Sequence, residues 1–417
     1  MSTRQYDIVL WGATGYTGGW TAKHIARSYP SDIRWAIAGR SEVKLKAVAE
    51  SCAKINPDRV QPSIEICSLD DSELADLARK TTVLIATVGP FCLYGEPALK
   101  ACAENGTHYL DITGEIPWVM SMAEKYEKVA KTTGAVLISQ SAVESLPPDL
   151  VAYAVVKRIH EELSTTTREI IFSVDDIKST FSGGTLHSIL EVVDQFSIPD
   201  LRRLKKPFLH SPIPGPTAPK TQSVWTNIFG VREHPDLGIL TSYFGATSDV
   251  PIVERSWGLI GDGKVYGPNF SFSEYARAKS LLLAVFIHSV MTIGTILLKL
   301  PGATWAARKV IPPRGYGATE EEAKSHFAEY RAVGRPNSDT MARAHARVRY
   351  DGSMYEMSGL LVSQAALTLL KDDVTAKKLG GGFMTPATLG QPLIDRLAGL
   401  GFKIEVKMEG MEGMEKI

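Results

Sequence analysis

Glycines at 12, 15, 18 and 19 sit in the run Gly12-Ala13-Thr14-Gly15-Tyr16-Thr17-Gly18-Gly19. Small residues at that spacing let the backbone turn tightly, bring its N–H groups against phosphate and aim a helix N-terminus at the same anion. The pattern G-x-x-G-x-x-G is one residue longer than the G-x-G-x-x-G fingerprint, and the physics is shared. A merely structural turn is the alternative. Further on, Ala38-Gly39-Arg40-Ser41, with Lys44 a turn later, offers cations and no acid. This is the point where NAD enzymes hold the ribose 2′-hydroxyl with a carboxylate. A planar guanidinium makes paired hydrogen bonds to phosphate oxygens, so Arg40, Ser41 and Lys44 favour NADPH. The alternative is a solvated arginine at a helix start. Asp70 either faces the adenine or, with Asp71, caps the next helix. Val88, Gly89 and Pro90 fall where a cofactor's nicotinamide end would lie, and Gly89 lets the backbone approach it.

Such groups act together only if strand ends present them along one edge. The apolar run 7–11 ends at Gly12, and a helix is predicted over 17–28. Further strands are predicted at 34–38, 63–67, 82–88, 108–111 and 135–139, with helices over 43–54, 71–80 and 117–132. Strands alternating with helices imply a doubly wound parallel sheet of the Rossmann type, an α/β unit filling residues 1–143. Pro147 and Pro148 stop that pattern and start a helix at Asp149. Residues 144–380 then read as an α+β substrate domain, with β-rich runs at 169–174 and 344–350. Residues 199–220 carry Arg202, Arg203, Lys205, Lys206 and six prolines, which predicts an exposed lid or linker. A last segment, 381–417, with a helix over 386–400, is expected to pack back on the first domain.

Composition limits what this frame can do. The 417 residues suggest two or three packed units at ~150 residues each. Acids and bases balance at 46 each, so no net field draws the molecule to nucleic acid. Cys52, Cys67, Cys92 and Cys102 form no Cys-x-x-Cys pair, and the histidines show no H-E-x-x-H spacing, so metal chemistry fits poorly. Sparse cysteines and a polar N-terminus point to a reducing, intracellular location. One stretch departs from this soluble character: residues 280–298 carry no formal charge and are flanked by Arg277, Lys279 and Lys299. It is barely long enough to cross a bilayer, and Ser280, His288, Ser289, Thr292 and Thr295 dilute it. A core helix, a helix at a membrane or lipid-droplet surface, and a span all stay open.

The blocks GATGYTGG at Gly12, AGRS at Ala38, VGPFCLYGEP at Val88, GTHYLDITGE at Gly106, SGGT at Ser182, ERSW at Glu254 and GGFMTPATLG at Gly381 run in order through nearly the whole chain. Together they resemble the saccharopine dehydrogenase-like oxidoreductases, relatives of saccharopine reductase and of the trans-acting enoyl reductases. One block departs. The family reads G-F-D-S-[IV]-P-x-D where this chain has Ala142-Val143-Glu144-Ser145-Leu146-Pro147-Pro148-Asp149.

The resemblance implies an NADPH-dependent reduction of an unsaturated bond, favoured here as C=C conjugated to a carbonyl in a hydrophobic acyl, lipid or polyketide-like molecule. A C=O or C=N reductase is one alternative, and a lipid-surface binding protein without turnover is another. Family members associate with lipid surfaces. A homodimer and a bound flavin stay open. A proton must reach the atom next to the one that takes the hydride. At the relevant sheet edge stand Tyr94, His108, Tyr109, Asp111, Glu115 and Glu144. Tyr94 is the favoured donor, with Asp111 or Glu144 to orient or relay. His108 and Tyr109 also fit simple packing, Asp111 and Glu115 helix capping, and Cys92 a buried inert thiol. Glu254 and Arg255 suit either a head-group clamp or an interior ion pair.

Overall fold

The computed structural model describes residues 4–410 except 205 and 217–223. Strands β1 (Tyr6–Trp11), β2 (Trp35–Gly39), β3 (Ser63–Ile66), β4 (Thr81–Ala86), β5 (His108–Asp111) and β6 (Val136–Ile138) are all parallel, in the order β6-β5-β4-β1-β2-β3. Residue alternation explains the layering. Ile8, Leu10, Ile37, Val83 and Ile85 point into one core, while Val9, Trp11, Leu84 and Ala86 point into another. Burial on both faces is what a parallel sheet demands, and it accounts for the apolar runs. This is the doubly wound fold expected from the sequence.

The second sheet is mixed. It adds β7 (Thr167–Lys178), β8 (Arg232–His234), β9 (Gly238–Thr241), β10 (Ser271–Arg277), β11 (Phe327–Pro336) and β12 (Arg343–Asp351). With β14 (Lys403–Glu409) its order is β14-β12-β11-β7-β10-β9-β8, and only β7 and β10 run parallel. The remaining strand, β13 (Gly382–Phe383), joins the first sheet beside β6.

Several sequence expectations need correction. The helix predicted from Asp149 begins three residues earlier, as Leu146–Leu163. Its prolines occupy the first turn, where no N–H partner is required. Helix Met354–Lys371, placed by sequence in the substrate domain, packs instead on the first helix, Tyr16–Ser28. The final segment serves both units, since β13 extends one sheet and β14 the other. Its predicted helix is shorter, a turn at Pro386–Leu389 followed by helix Gly390–Ala398. The basic stretch predicted as a lid is partly anchored. Phe208 stacks edge-on against Trp257, its N–H donates to Glu254 (2.6 Å), and Arg203 pairs with Glu124 (3.1 Å). Lys205 and the Arg202 side chain lie outside the described residues.

Candidate active site

The carboxyl ends of five neighbouring strands of the parallel sheet, β5, β4, β1, β2 and β3, open into one cavity of about 1300 Å³. Gly12 follows β1, Arg40 follows β2, Ser68 follows β3, the run from Thr87 to Phe91 follows β4, and Ile112 to Glu115 follow β5. Strand order reverses between β1 and β4, the switch point where open α/β sheets bind ligands.

The glycine turn is shaped by backbone sterics. Gly12 has φ +91°, and a Cβ there would lie 2.7 Å from the Val88 side chain. At Gly18 a Cβ would come 2.2 Å from the Gly12 carbonyl oxygen, so only glycine lets the helix sit on the strand end. Helix Tyr16–Ser28 then begins with no side-chain cap and no acid in its first turn. Its free N–H groups and positive dipole end border the cavity, as a pyrophosphate requires. Thr14, Gly15, Tyr16 and Thr17 line the cavity with Gly12. Ala13 and Gly18 are buried beneath it.

Arg40 lines the cavity, is exposed, and forms no salt bridge among the described residues. Ser41 and Lys44 do not line it: the Ser41 hydroxyl caps helix Glu42–Ile55 by accepting from the Lys44 N–H. Asp70 is likewise a helix cap. Its carboxylate accepts from the N–H groups of Ser72 and Glu73, and it stands outside the lining, so the adenine-facing alternative gives way. Val88, Gly89 and Pro90 do line the cavity.

Beyond β5 a ladder of hydrogen bonds shapes one wall of the cavity. Asp111 is fully buried and is not part of the lining, which corrects the orienting or relay role at the substrate. Its carboxyl accepts from Thr113 N–H (3.0 Å), Gln140 N–H (3.0 Å) and Ser139 Oγ (2.9 Å), and burial lifts its pKa to about 6. Thr113 Oγ1 accepts from the Glu115 N–H, and the Glu115 carboxylate accepts from Phe91 N–H (2.8 Å) and Cys92 N–H (2.7 Å). Glu115 therefore fixes the short helix Phe91–Tyr94 that brings Tyr94 to the cavity wall. Sequence left Glu115 as a cap or an acid. It caps this helix from across the sheet while also lining the cavity.

Glu144 lines the cavity too, its carboxyl laid against Gly114, where any Cβ would collide with it. Burial first, and then the charge of Glu115, hold Glu144 well above the usual carboxylate range. Behind it, Ser145 Oγ donates to Asp249 (2.6 Å) and accepts from Gln140 Nε2 (3.1 Å). Burial, with the charges of Glu274 and Glu144, raises Asp249 as well. Neither Asp249 nor Glu274 could be singled out in sequence, because helix Ala246–Leu259 and β10 bring them here only through the tertiary fold.

The remaining candidates are structural. Tyr109 is fully buried, and the His108 ring accepts the Val136 N–H. Cys92 has its thiol pushed up by burial and by Glu115, and it stands outside the lining. Arg255 is an interior tie, bonded to Glu127 (2.8 Å) and to the carbonyls of Phe383 and His210.

The far half of the cavity comes from the second unit. Ile189, Val192 and Val193 of helix Gly183–Gln195, together with Ile198 and Leu204, give it an apolar wall. Arg314 and Gly315 also line the cavity, Arg314 pairing with Glu191 (3.4 Å), and Tyr16 of the glycine turn donates to the Ala318 carbonyl (2.6 Å); neither Arg314 nor Gly315 carried a sequence signal. Helix Leu281–Leu298 completes the wall with His288, Met291, Thr292 and Thr295.

The family described as the saccharopine dehydrogenase NADP binding domain matches residues 8–138. A relative from Mycobacterium tuberculosis, whose name places it among trans-acting enoyl reductases, is 31% identical over 96% of this chain and 97% of its own length. The chain belongs to the saccharopine dehydrogenase-like oxidoreductase family. It is an NADP-dependent oxidoreductase by the same matches. A lipid droplet localized protein from Caenorhabditis elegans is 27% identical, over 97% of this chain and 99% of its own. Apo saccharopine dehydrogenase (L-Glu forming) from Saccharomyces cerevisiae shares the fold, with a TM-score of 0.57 at 12% identity over 97% of this chain and 99% of that one.

Proposed function

We propose that the chain uses NADPH to reduce a C=C bond conjugated to a carbonyl in a hydrophobic acyl, lipid or polyketide-like substrate. The observation that carries this reading is the single cavity. It joins the glycine turn and Arg40 at one end to an apolar wall at the other, with Glu144 at the junction. Its ~1300 Å³ exceeds the 300–1,000 Å³ of an ordinary ligand pocket, leaving room for a nucleotide and a chain-like substrate together.

The residues divide the work. Gly12, Gly15 and the N-terminus of helix Tyr16–Ser28 cradle the pyrophosphate, and Arg40 takes the 2′-phosphate. Bound NADPH supplies the hydride. Glu144, raised to about 7 by burial and by the charge of Glu115 and so partly protonated near neutral pH, gives the proton to the neighbouring carbon; Tyr94 is the second candidate at that wall. Ile189, Val192 and Val193 hold the apolar chain and exclude water from the reacting end.

The name of the Mycobacterium tuberculosis relative supports the choice of C=C reduction. That of the Caenorhabditis elegans relative supports an intracellular place at a lipid surface, as does an apolar helix with its side chains exposed. The test is NADPH oxidation, followed by absorbance, with a long-chain trans-2-enoyl thioester and with the matching 3-oxo thioester. Faster turnover of the enoyl compound is expected. Turnover of the oxo compound alone would replace this reading with C=O reduction.

A further inference from the structure

Helix Leu281–Leu298 is built inside out. At 3.6 residues per turn, His288, Met291, Thr292, Thr295 and Lys299 fall on one side, and that side borders the cavity. Leu282, Phe286, Val290, Ile293 and Leu297 fall on the opposite side and face outward. Leu282 is 85% exposed and Phe286 63%. A helix of a water-soluble protein turns its apolar stripe inward, so this one is oriented for a second apolar phase.

The geometry points to a lateral gate: the outer face of this helix enters a phospholipid leaflet, and its inner face admits a hydrocarbon chain from that leaflet into the cavity. The inference rests on the reductase reading above, for which it names the substrate class as a lipid-resident chain rather than a dissolved one.

Three observations commit the occupant to a lipid surface. The apolar face continues into the next helix, Ala303–Val310, where Trp305 is 63% exposed and Val310 83%. Lys309 lies over the Trp305 ring at 3.5 Å, an aromatic and cation pairing suited to the headgroup layer. Lys279 and Lys309 are exposed and form no salt bridge among the described residues, which suits anionic headgroups.

A complete span fits poorly. Eighteen residues reach only ~27 Å, and the helix is tied along its inner side. Thr241 Oγ1 donates to the Ala284 carbonyl (2.8 Å), Ser242 Oγ and His288 Nδ1 share a hydrogen bond (2.8 Å), and Lys299 Nζ donates to the carbonyls of Val193 and Phe196. These ties hold the helix as a cavity wall, with only its outer half free to enter lipid.

Flotation of the full chain with phosphatidylcholine–phosphatidylserine vesicles tests the docking. Binding is expected for the parent, weaker on phosphatidylcholine alone, and reduced at least about tenfold in Phe286→Asp/Ile293→Asp, with NADPH affinity in solution unchanged. Equal flotation of parent and variant overturns the proposal. So does a parent that stays in the aqueous phase, or one that forms a dimer which those substitutions dissolve.

The gate has its own readout. Doxyl-stearate in the same vesicles should give an immobilised electron-spin-resonance component with the parent. Thr295→Trp, which fills the inner side, should remove that component while flotation persists. An unchanged immobilised component in Thr295→Trp sinks the gate. Neither measurement needs turnover, so loss of NADPH binding or of enoyl reduction would remove the reductase reading separately.

Discussion

The two halves of the cavity are made in different ways. The nucleotide half consists largely of strand ends and turns, with its shape fixed by backbone, as at Gly12 and Gly18. The opposite half consists of side chains on helices Gly183–Gln195 and Leu281–Leu298, several of them open to solvent. Backbone-built sites tolerate little change in residue type, because a Cβ has nowhere to go. A side-chain wall keeps its function while its volume and polarity vary. On the proposed reading, a rigid cofactor site thus faces an adaptable substrate site, with Glu144 between them.

The sharpest way to break this contrast is Gly18→Val. A branched side chain against the Gly12 carbonyl should remove NADPH binding measurably by calorimetry, whereas Val192→Ala on the opposite wall should leave NADPH affinity intact. Equal losses would erase the distinction. Next in size is the junction. Glu144→Gln should lower kcat about 10²- to 10⁴-fold with NADPH affinity unchanged. If Tyr94→Phe carried that loss instead, the proton would come from the short helix. Arg40→Ala sharpens the cofactor side: NADPH affinity should fall about 10- to 100-fold, the equivalent of one charge-assisted hydrogen bond of ~1.5–3 kcal/mol, with NADH little affected.

The smallest effect concerns the acids behind the site. Asp111 and Asp149 are raised to about 6 and about 7 by burial. The folded chain therefore holds protons that the unfolded chain releases above ~4. Stability should fall as pH rises from about 4 to about 7 and then level off. Urea unfolding at several pH values checks the slope, and Asp149→Asn should flatten it.

How much of this was legible in sequence follows from the same contrast. The glycine turn, Arg40 and the strand ends are local, since pattern and propensity place each beside its neighbours in the chain. Asp111 misled because an acid at a strand end looks the same whether it faces ligand or backbone, and here three donors turn it inward. Asp70, Ser41 and Lys44 sit one step past the edge, a distinction finer than element prediction resolves. Arg314, Asp249 and Glu274 stand far along the chain from the glycine turn, and only the tertiary fold brings Arg314 to the cavity and the two acids near Glu144. The charge-free segment at 280–298 announced its composition plainly, but which side faces water depends on the wall it completes.

The placement of β13 bears on how the chain matures. The nucleotide-binding layer borrows its edge strand from residues 382–383, and one covering helix from Met354–Lys371. An emerging polypeptide cannot finish that layer until almost everything has left the ribosome, after every residue lining the cavity, the last of them Gly315, has been made. A nascent chain arrested before Gly382 would expose the flank of β6, and its capture by chaperones would be the price of this interleaved design.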